Sequence, residues 1–328
     1  AGGAYVPLDP SHPINRRRMI VEEVGASIII VSPLTSSTCD QLAKHIVVLS
    51  ASLMERLSIS LQPASKKTKK CSPSDAAYVL FTSGSTGKPK GTVIDHSAAC
   101  TNILDLGRIT GWNESSRCLQ FSSYTFDVSV AEIFPTLAFG GTICVPSETE
   151  RLQNIHDFMQ RANVNIATLT PSFAQILNPN EIPQLDILVL AGEPSTRDLL
   201  DTWCKRVKLI NGYGPTETTM ACATHEFNID DNPTNIGRPF NSACWIVEPH
   251  DYHKLAPIGC VGELVVQGYT LSRGYINEPE KTKAVFLSEL QFVASGPSHF
   301  YLTGDLVKYN SRGEMEYLGR KDNQVRSA

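Results

Sequence analysis

What this 328-residue chain lacks narrows its role first. No apolar run approaches the roughly eighteen residues that a membrane-spanning helix needs, and no charged-then-apolar leader precedes a cleavage site. Neither secretion nor membrane anchoring is expected. Charge of one sign is not in excess, since 29 Lys and Arg face 33 Asp and Glu for a net charge of −4. Such a balance gives no bulk footprint for nucleic acid or an anionic membrane and favours small-molecule ligands. The nine cysteines include no Cys-x-x-Cys spacing, and their odd number suits free thiols in a reducing compartment, hence a cytoplasmic location. His250 and His253 have no third ligand near them in sequence, so no metal site built by protein groups alone is expected. There is no internal repeat, and the one biased stretch is the prolyl, Lys-rich segment 62–74, which reads as a solvated linker.

What is present points to a globular chain. With 41% apolar and 19% charged residues, it has ample core material and room for more than one lobe. Between residues 77 and 217, short β-branched runs alternate with helix-length amphipathic segments, which argues for α/β architecture with a parallel sheet and crossover helices. Strands are expected at 77–82, 117–122, 141–146, 165–170, 185–191 and 207–211, and helices at 95–109, 128–139, 151–162 and 195–205. Ser195 and Asp198, three apart, suggest a near capping box for the last helix. From about 235 the pattern changes to short strands punctuated by glycine, at 243–247, 262–267, 300–302, 307–309 and 314–318. The expected division is an α/β part at 1–234, a smaller β-rich subdomain at 235–320 and a hinge beginning at 321–328.

The densest polar motif is Phe81-Thr82-Ser83-Gly84-Ser85-Thr86-Gly87-Lys88-Pro89-Lys90-Gly91, directly after the apolar run 77–81. Its glycines allow positive φ and close approach, while N–H, hydroxyl and ammonium groups all offer donors to anionic oxygen, as a nucleotide triphosphate requires. Pro89 after Gly87-Lys88 excludes the Walker A pattern. Alone, the segment could equally be a flexible hairpin tip.

Ligands of open parallel sheets sit beyond the carboxyl ends of the strands. There, Asn211-Gly212-Tyr213-Gly214-Pro215-Thr216-Glu217 offers an aromatic face for a base and a carboxylate for Mg²⁺. A turn anchored by Tyr213 is the alternative. Asp305, after a Thr-Gly turn, could accept from ribose hydroxyls, or serve an Asx turn; Arg320 could reach phosphate or ribose, or sit in a surface ion pair. Asp127 precedes an amphipathic helix and by itself reads as an N-cap.

Taken together, 1–10, 81–91, Phe126-Asp127-Val128-Ser129, 211–219, Gly262-Glu263-Leu264, 301–306 and 319–325 resemble, in order and spacing, the adenylation domains of non-ribosomal peptide synthetases. These belong to the acyl-adenylate-forming, AMP-binding enzymes that also include acyl-CoA synthetases and luciferases. The resemblance implies the large N-terminal, luciferase-like lobe followed by a smaller β-rich subdomain. It implies attack of an amino-acid carboxylate on the α-phosphorus of Mg·ATP, giving aminoacyl-AMP and pyrophosphate, for loading onto the phosphopantetheine of a carrier domain beside condensation domains.

By motif, Thr82 and Ser83, Gly84, Ser85, Thr86, Gly87, Lys88 and Lys90 would handle the β- and γ-phosphates, and Thr216 with Glu217 would hold the α-phosphate and Mg²⁺. Tyr213 would flank adenine, Asn211 and Gly214 would also contact ATP, and Asp305 with Arg320 would take the ribose. Asp127 would bind the substrate ammonium. Val128, Ala131, Thr168, Val189, Ala191, Gly212, Met220 and Ala221 would form the side-chain pocket. That set is apolar, with several small residues, and implies a bulky apolar or aromatic amino acid.

Asp322 resembles the hinge acid. The family's opening segment and its C-terminal lobe, which carries a catalytic lysine, have no counterpart in the sequence, so the resemblance implies a piece of a multidomain synthetase with weak activity alone. An acyl- or aryl-CoA ligase and a non-catalytic binding remnant are the alternative readings.

Overall fold

The computed structural model describes residues 2–59, 70–82, 89–294, 296 and 299–322. Five strands form the parallel part of the sheet, in the spatial order Thr142–Cys144, Arg117–Leu119, Ile166–Leu169, Ile187–Ala191 and Lys208–Tyr213. The central strand Ile166–Leu169 is buried along its whole length, and Ile187–Ala191 beside it is buried through its middle, as strands covered on both faces must be. Helices Val128–Ala138, Glu148–Gln153, Ile155–Arg161 and Arg197–Trp203 make the crossovers. Trp203, Leu199 and Leu200 from the last of these pack with Leu188, Leu190 and Leu209 in the largest apolar cluster.

Beyond Lys208–Tyr213 the sheet continues without a break but turns antiparallel. Ala223–Glu226 pairs with it, then Asn235–Pro239, Met315–Arg320, Phe300–Tyr309, Gly262–Gln267, Ala243–Glu248 and Asp251–Leu255 follow. The β-rich region expected after residue 235 therefore extends the same sheet, with its own apolar cluster around Leu264, Val266, Tyr301, Val307 and Met315.

The strand expected at 77–82 forms, as Ala76–Thr82, but it does not join the parallel sheet. It pairs antiparallel with Lys90–Asp95, which pairs in turn with Gly274–Tyr275 in a separate three-stranded sheet. A second strand so soon after the first was hidden by the Gly- and Lys-rich composition between them. The segment 81–91 thus links two antiparallel strands, and residues 83–88 within it lie outside the described residues, as do 60–69 of the expected linker.

Two helix expectations are also corrected. The expected helix at 151–162 is two helices that break at Asn154, the first opened by a capping box between Ser147 and Glu150. The helix expected from 195 is capped one residue later, by the Thr196 side chain accepting from Leu199 N, while the buried Ser195 hydroxyl has no hydrogen-bond partner among the described residues. Spacing of three between Ser195 and Asp198 was right for a cap in kind but wrong in register. All nine cysteines are unpaired.

Candidate active site

A cleft of about 840 Å³ opens over the carboxyl ends of the parallel strands, where topology places ligands in open sheets. It gathers residues from remote parts of the chain. Thr82 and Lys90 come from the hairpin, Asp127 and Val128 from a helix start, Thr168 and Ala191 from strand ends, Gly214, Thr216 and Glu217 from the turn after Lys208–Tyr213, and Arg320 from the last strand.

At its floor, Lys90 Nζ donates to Glu217 Oε1 at 2.8 Å and to the Tyr275 hydroxyl at 2.9 Å, and the Tyr275 hydroxyl donates to the same Glu217 oxygen at 2.6 Å. The ammonium also lies 4.5 Å from the centroid of the Tyr275 ring. Burial alone would raise the Glu217 carboxyl, yet the Lys90 charge and these hydrogen bonds outweigh it and hold the group below its ordinary value. Burial drives the Tyr275 hydroxyl far upward, so it stays a donor.

Glu217 sits in a short 3₁₀ turn, Thr216–Thr218, after which Thr219 and Met220 both adopt positive φ, 61° and 75°. Two successive left-handed L-residues are costly, and hydrogen bonds from Thr219 Oγ1 to Thr270 O and from Asn102 Nδ2 to Ala221 O hold the reversal in place. Gly214 is required there, because a Cβ would lie 2.5 Å from Ala221 Cα and 2.8 Å from Met220 O.

Asp127 faces the cleft at the start of helix Val128–Ala138 but makes no side-chain cap, and its own φ and ψ, −67° and −21°, are already helical. Removal from water pushes its carboxyl up to about 6, against the opposing hydrogen bond with Thr216. With no cation paired to it among the described residues, this recessed carboxylate is suited to receive one.

Other expected residues are not presented to the cleft. Asp305 is fully buried, accepting from the Tyr213 hydroxyl at 2.5 Å and from Arg320 Nη1 at 3.2 Å, so Tyr213 and Asp305 engage each other rather than the opening. Asn211 donates to Asn235 O. Of the expected side-chain pocket, Val128, Thr168 and Ala191 line the cleft, while Ala131, Met220 and Ala221 pack into the cluster around Tyr78 and Ile94, and Val189 packs against Ile210 and Cys118. Gly212 lies beside Val189, close enough that a Cβ would stand 3.4 Å from Val189 Cγ1. Asp322 forms a two-point ion pair with Arg320, at 2.8 and 2.9 Å.

Reading the sequence missed Tyr275, Tyr301 and Glu132. Tyr301 lines the cleft against Glu217 and Tyr275. Glu132, within the apolar helix Val-Ser-Val-Ala-Glu-Ile-Phe, gave a signal that went unused: an acid on a helix face that is otherwise core. Among the described residues no cluster of three or more His, Cys, Asp or Glu could hold a metal ion. A lone carboxylate such as Glu217 nevertheless fits Mg²⁺, which commonly takes one or two protein carboxylates and completes its shell with phosphate oxygens and water.

The profile of the AMP-binding enzymes matches residues 1–276. The chain belongs to the AMP-binding enzyme family. It is 43% identical over 333 residues to nonribosomal peptide synthetase nlsA of Emericella nidulans and 45% identical over 335 residues to nonribosomal peptide synthetase 4 of Gibberella zeae. Each alignment covers 99% of this chain but only 6% and 4% of those relatives, so the chain spans a small part of their length.

Among solved structures, the nonribosomal peptide synthetase FmoA3 superposes with a TM-score of 0.83 at 25% identity, over 97% of this chain and 34% of that one. The Vibrio cholerae adenylation domain AlmE, solved with glycyl-adenosine-5'-phosphate, gives 0.78 at 25% identity over 99% and 66%. The fold is thus that of the large lobe of adenylation domains, as the motifs had implied.

Proposed function

We propose that this AMP-binding enzyme activates an amino acid by adenylation, joining its carboxylate to the α-phosphate of ATP with release of pyrophosphate, within a nonribosomal peptide synthetase. The observation that carries this reading is the convergence of Asp127, Thr216, Glu217 and Lys90 on one cleft, from three places in the sequence.

Each residue has a role that its surroundings support. Asp127, recessed and with no cation paired to it among the described residues, pairs with the substrate ammonium and orients the carboxylate toward the nucleotide. Lys90 moves from Glu217 to the phosphates and offsets charge that builds as pyrophosphate departs. Thr216 holds the α-phosphate by its hydroxyl, and Glu217, released by Lys90, holds Mg²⁺. Bound there, Mg²⁺ neutralises phosphate oxygens during transfer. The hydroxyl and ammonium groups of the motif from Ser83 to Lys90 serve the β- and γ-phosphates. Asp305 takes the ribose hydroxyls once its bond with Tyr213 opens, Arg320 assists it, and Tyr213 flanks the adenine with Asn211 and Gly214. The protein thus positions and neutralises, and forms no covalent intermediate.

The substrate is a bulky apolar or aromatic amino acid. Val128, Thr168 and Ala191 line the cleft with Asp127, and the eight residues of the expected pocket carry no charge, so a charged side chain seated among them would be desolvated without a partner. The product passes to the phosphopantetheine of a peptidyl carrier domain, next to condensation domains. Asp322 serves as the hinge acid, and the core divides near 234 and 320. A cytoplasmic location fits the unpaired cysteines and the lack, among the described residues, of any helix long and apolar enough to cross a membrane.

Amino-acid-dependent exchange of pyrophosphate into ATP tests the reading. Exchange with one large apolar amino acid, lost in Asp127→Ala, supports it; exchange only with acids that lack an amino group overturns it in favour of a CoA ligase.

A further inference from the structure

Helix Val128–Ala138 is apolar on the side that meets the core, yet its middle carries Glu132, fully buried. Among the described residues no cation pairs with it. Its carboxylate instead accepts from the end of strand Arg117–Leu119 and the loop that follows. Oε2 takes Phe121 N at 3.2 Å, Ser122 N at 3.2 Å and Gln120 Nε2 at 3.3 Å, and Oε1 takes Ser122 N at 3.1 Å. Gln120 Nε2 also donates to Ser122 O at 2.7 Å, tightening the same loop.

A carboxylate in such surroundings is costly unless its oxygens are satisfied, and here burial raises it to about 8 against the donors from Ser122, Phe121 and Gln120. What it supplies in return is an acceptor for two main-chain N–H groups that the end of the strand would otherwise leave unpaired.

The segment so held is neither helix nor strand for most of its length, but Phe121, Ser122, Ser123 and Thr125 line the cleft and lead directly into Asp127. The nucleotide-side groups Lys90, Glu217 and Arg320 are carried by other elements, none of which bonds to Glu132.

We propose that Glu132 is a positioning residue that fixes the wall from Phe121 to Thr125 and thereby sets the amino-acid end of the cleft, without touching substrate. Its influence on the substrate rests on the adenylation reading above.

Glu132→Gln keeps size and shape but replaces one acceptor oxygen with a donor. Above pH 8, where Glu132 is ionised, hydrogen exchange of the Phe121 and Ser122 amides in the wild-type chain is slow, and the substitution speeds it on the order of tenfold or more, as expected for charge-assisted bonds. In pyrophosphate exchange with Mg·ATP and a panel of proteinogenic amino acids, KM for the amino acid that supports exchange rises on the order of tenfold, while KM for ATP stays within about twofold. A purely structural role would leave both KM values unchanged and lower only the melting temperature, and that outcome, or unaltered amide protection, overturns the proposal. If Glu132→Gln does not fold, Gln120→Leu loosens the same loop while leaving the carboxylate and its two backbone donors in place, and shifts the amino-acid KM in the same direction by less. If the chain joined to its natural flanking segments exchanges with no amino acid, the adenylation reading fails, and the amide rates still decide whether Glu132 holds the loop.

Discussion

Lys90 and Glu217, 127 residues apart in sequence, meet at 2.8 Å on the cleft floor, with Glu217 buried and Lys90 partly open to solvent. Each is the other's counter-charge while no nucleotide is present. Lys90→Ala leaves a buried carboxylate without its cation, a loss of about 2–4 kcal/mol in stability. The acid side of the stability curve moves as well. Glu217 is depressed below its ordinary 4.5, so the stability it contributes is complete above that value and lost as the pH falls through the folded value; without Lys90 the depression shrinks and that contribution shrinks with it. Urea unfolding between neutral and acid pH measures both effects, and pyrophosphate exchange should fall by about two to three decades.

Tyr275→Phe is a milder probe of the same centre. It removes one donor to Glu217 and one acceptor from Lys90 while keeping the ring under the ammonium. The expected loss is about 1–3 kcal/mol, since the bond is to a charged group. Binding of Mn²⁺ with ATP, followed by electron paramagnetic resonance, should weaken less than in Glu217→Gln.

Asp127 should couple stability and function in opposite directions. Its carboxyl stands at about 6 instead of 3.8, so at pH 7 the charged form costs stability, and that cost fades as the pH falls below the folded value. Asp127→Asn is expected to stabilise the ligand-free chain by about 1–2 kcal/mol at pH 7 and to abolish amino-acid-dependent exchange. In the wild-type chain, KM for the amino acid should climb as the pH drops below about 6, because a protonated carboxyl cannot pair with an ammonium.

Gly214→Ala forces a Cβ into the backbone of the reversed turn, at 2.5 Å from Ala221 Cα. Backbone atoms cannot yield as a flexible side chain does, so a loss of about 3 kcal/mol or more is expected. Thermal unfolding would register it as a drop of several degrees or more. An unchanged melting temperature would show that the turn relaxes freely.

Sequence alone determined the residue types that meet in the cleft, and in what kind of fold. The apolar runs around 166–169 and 187–191 read as strands of a parallel sheet, and the glycine-flanked motif 211–217 as the turn that ends the last of them. These are local properties of composition and spacing. Other features depended on tertiary structure. Strand Lys90–Asp95 was obscured because its glycine and lysine look like loop until a partner strand supplies the hydrogen bonds. Thr196 rather than Ser195 caps its helix because packing, not spacing, sets the register. Tyr275 and Glu132 were illegible as site residues for the same reason: their meaning lies in what they meet, a carboxylate 58 residues away for Tyr275 and two backbone amides on a neighbouring loop for Glu132. Even Asp127, named early, acquired its raised affinity for protons only when the fold withdrew it from water. Residue type is written in the chain, whereas burial and the distance between charges exist only after it has folded.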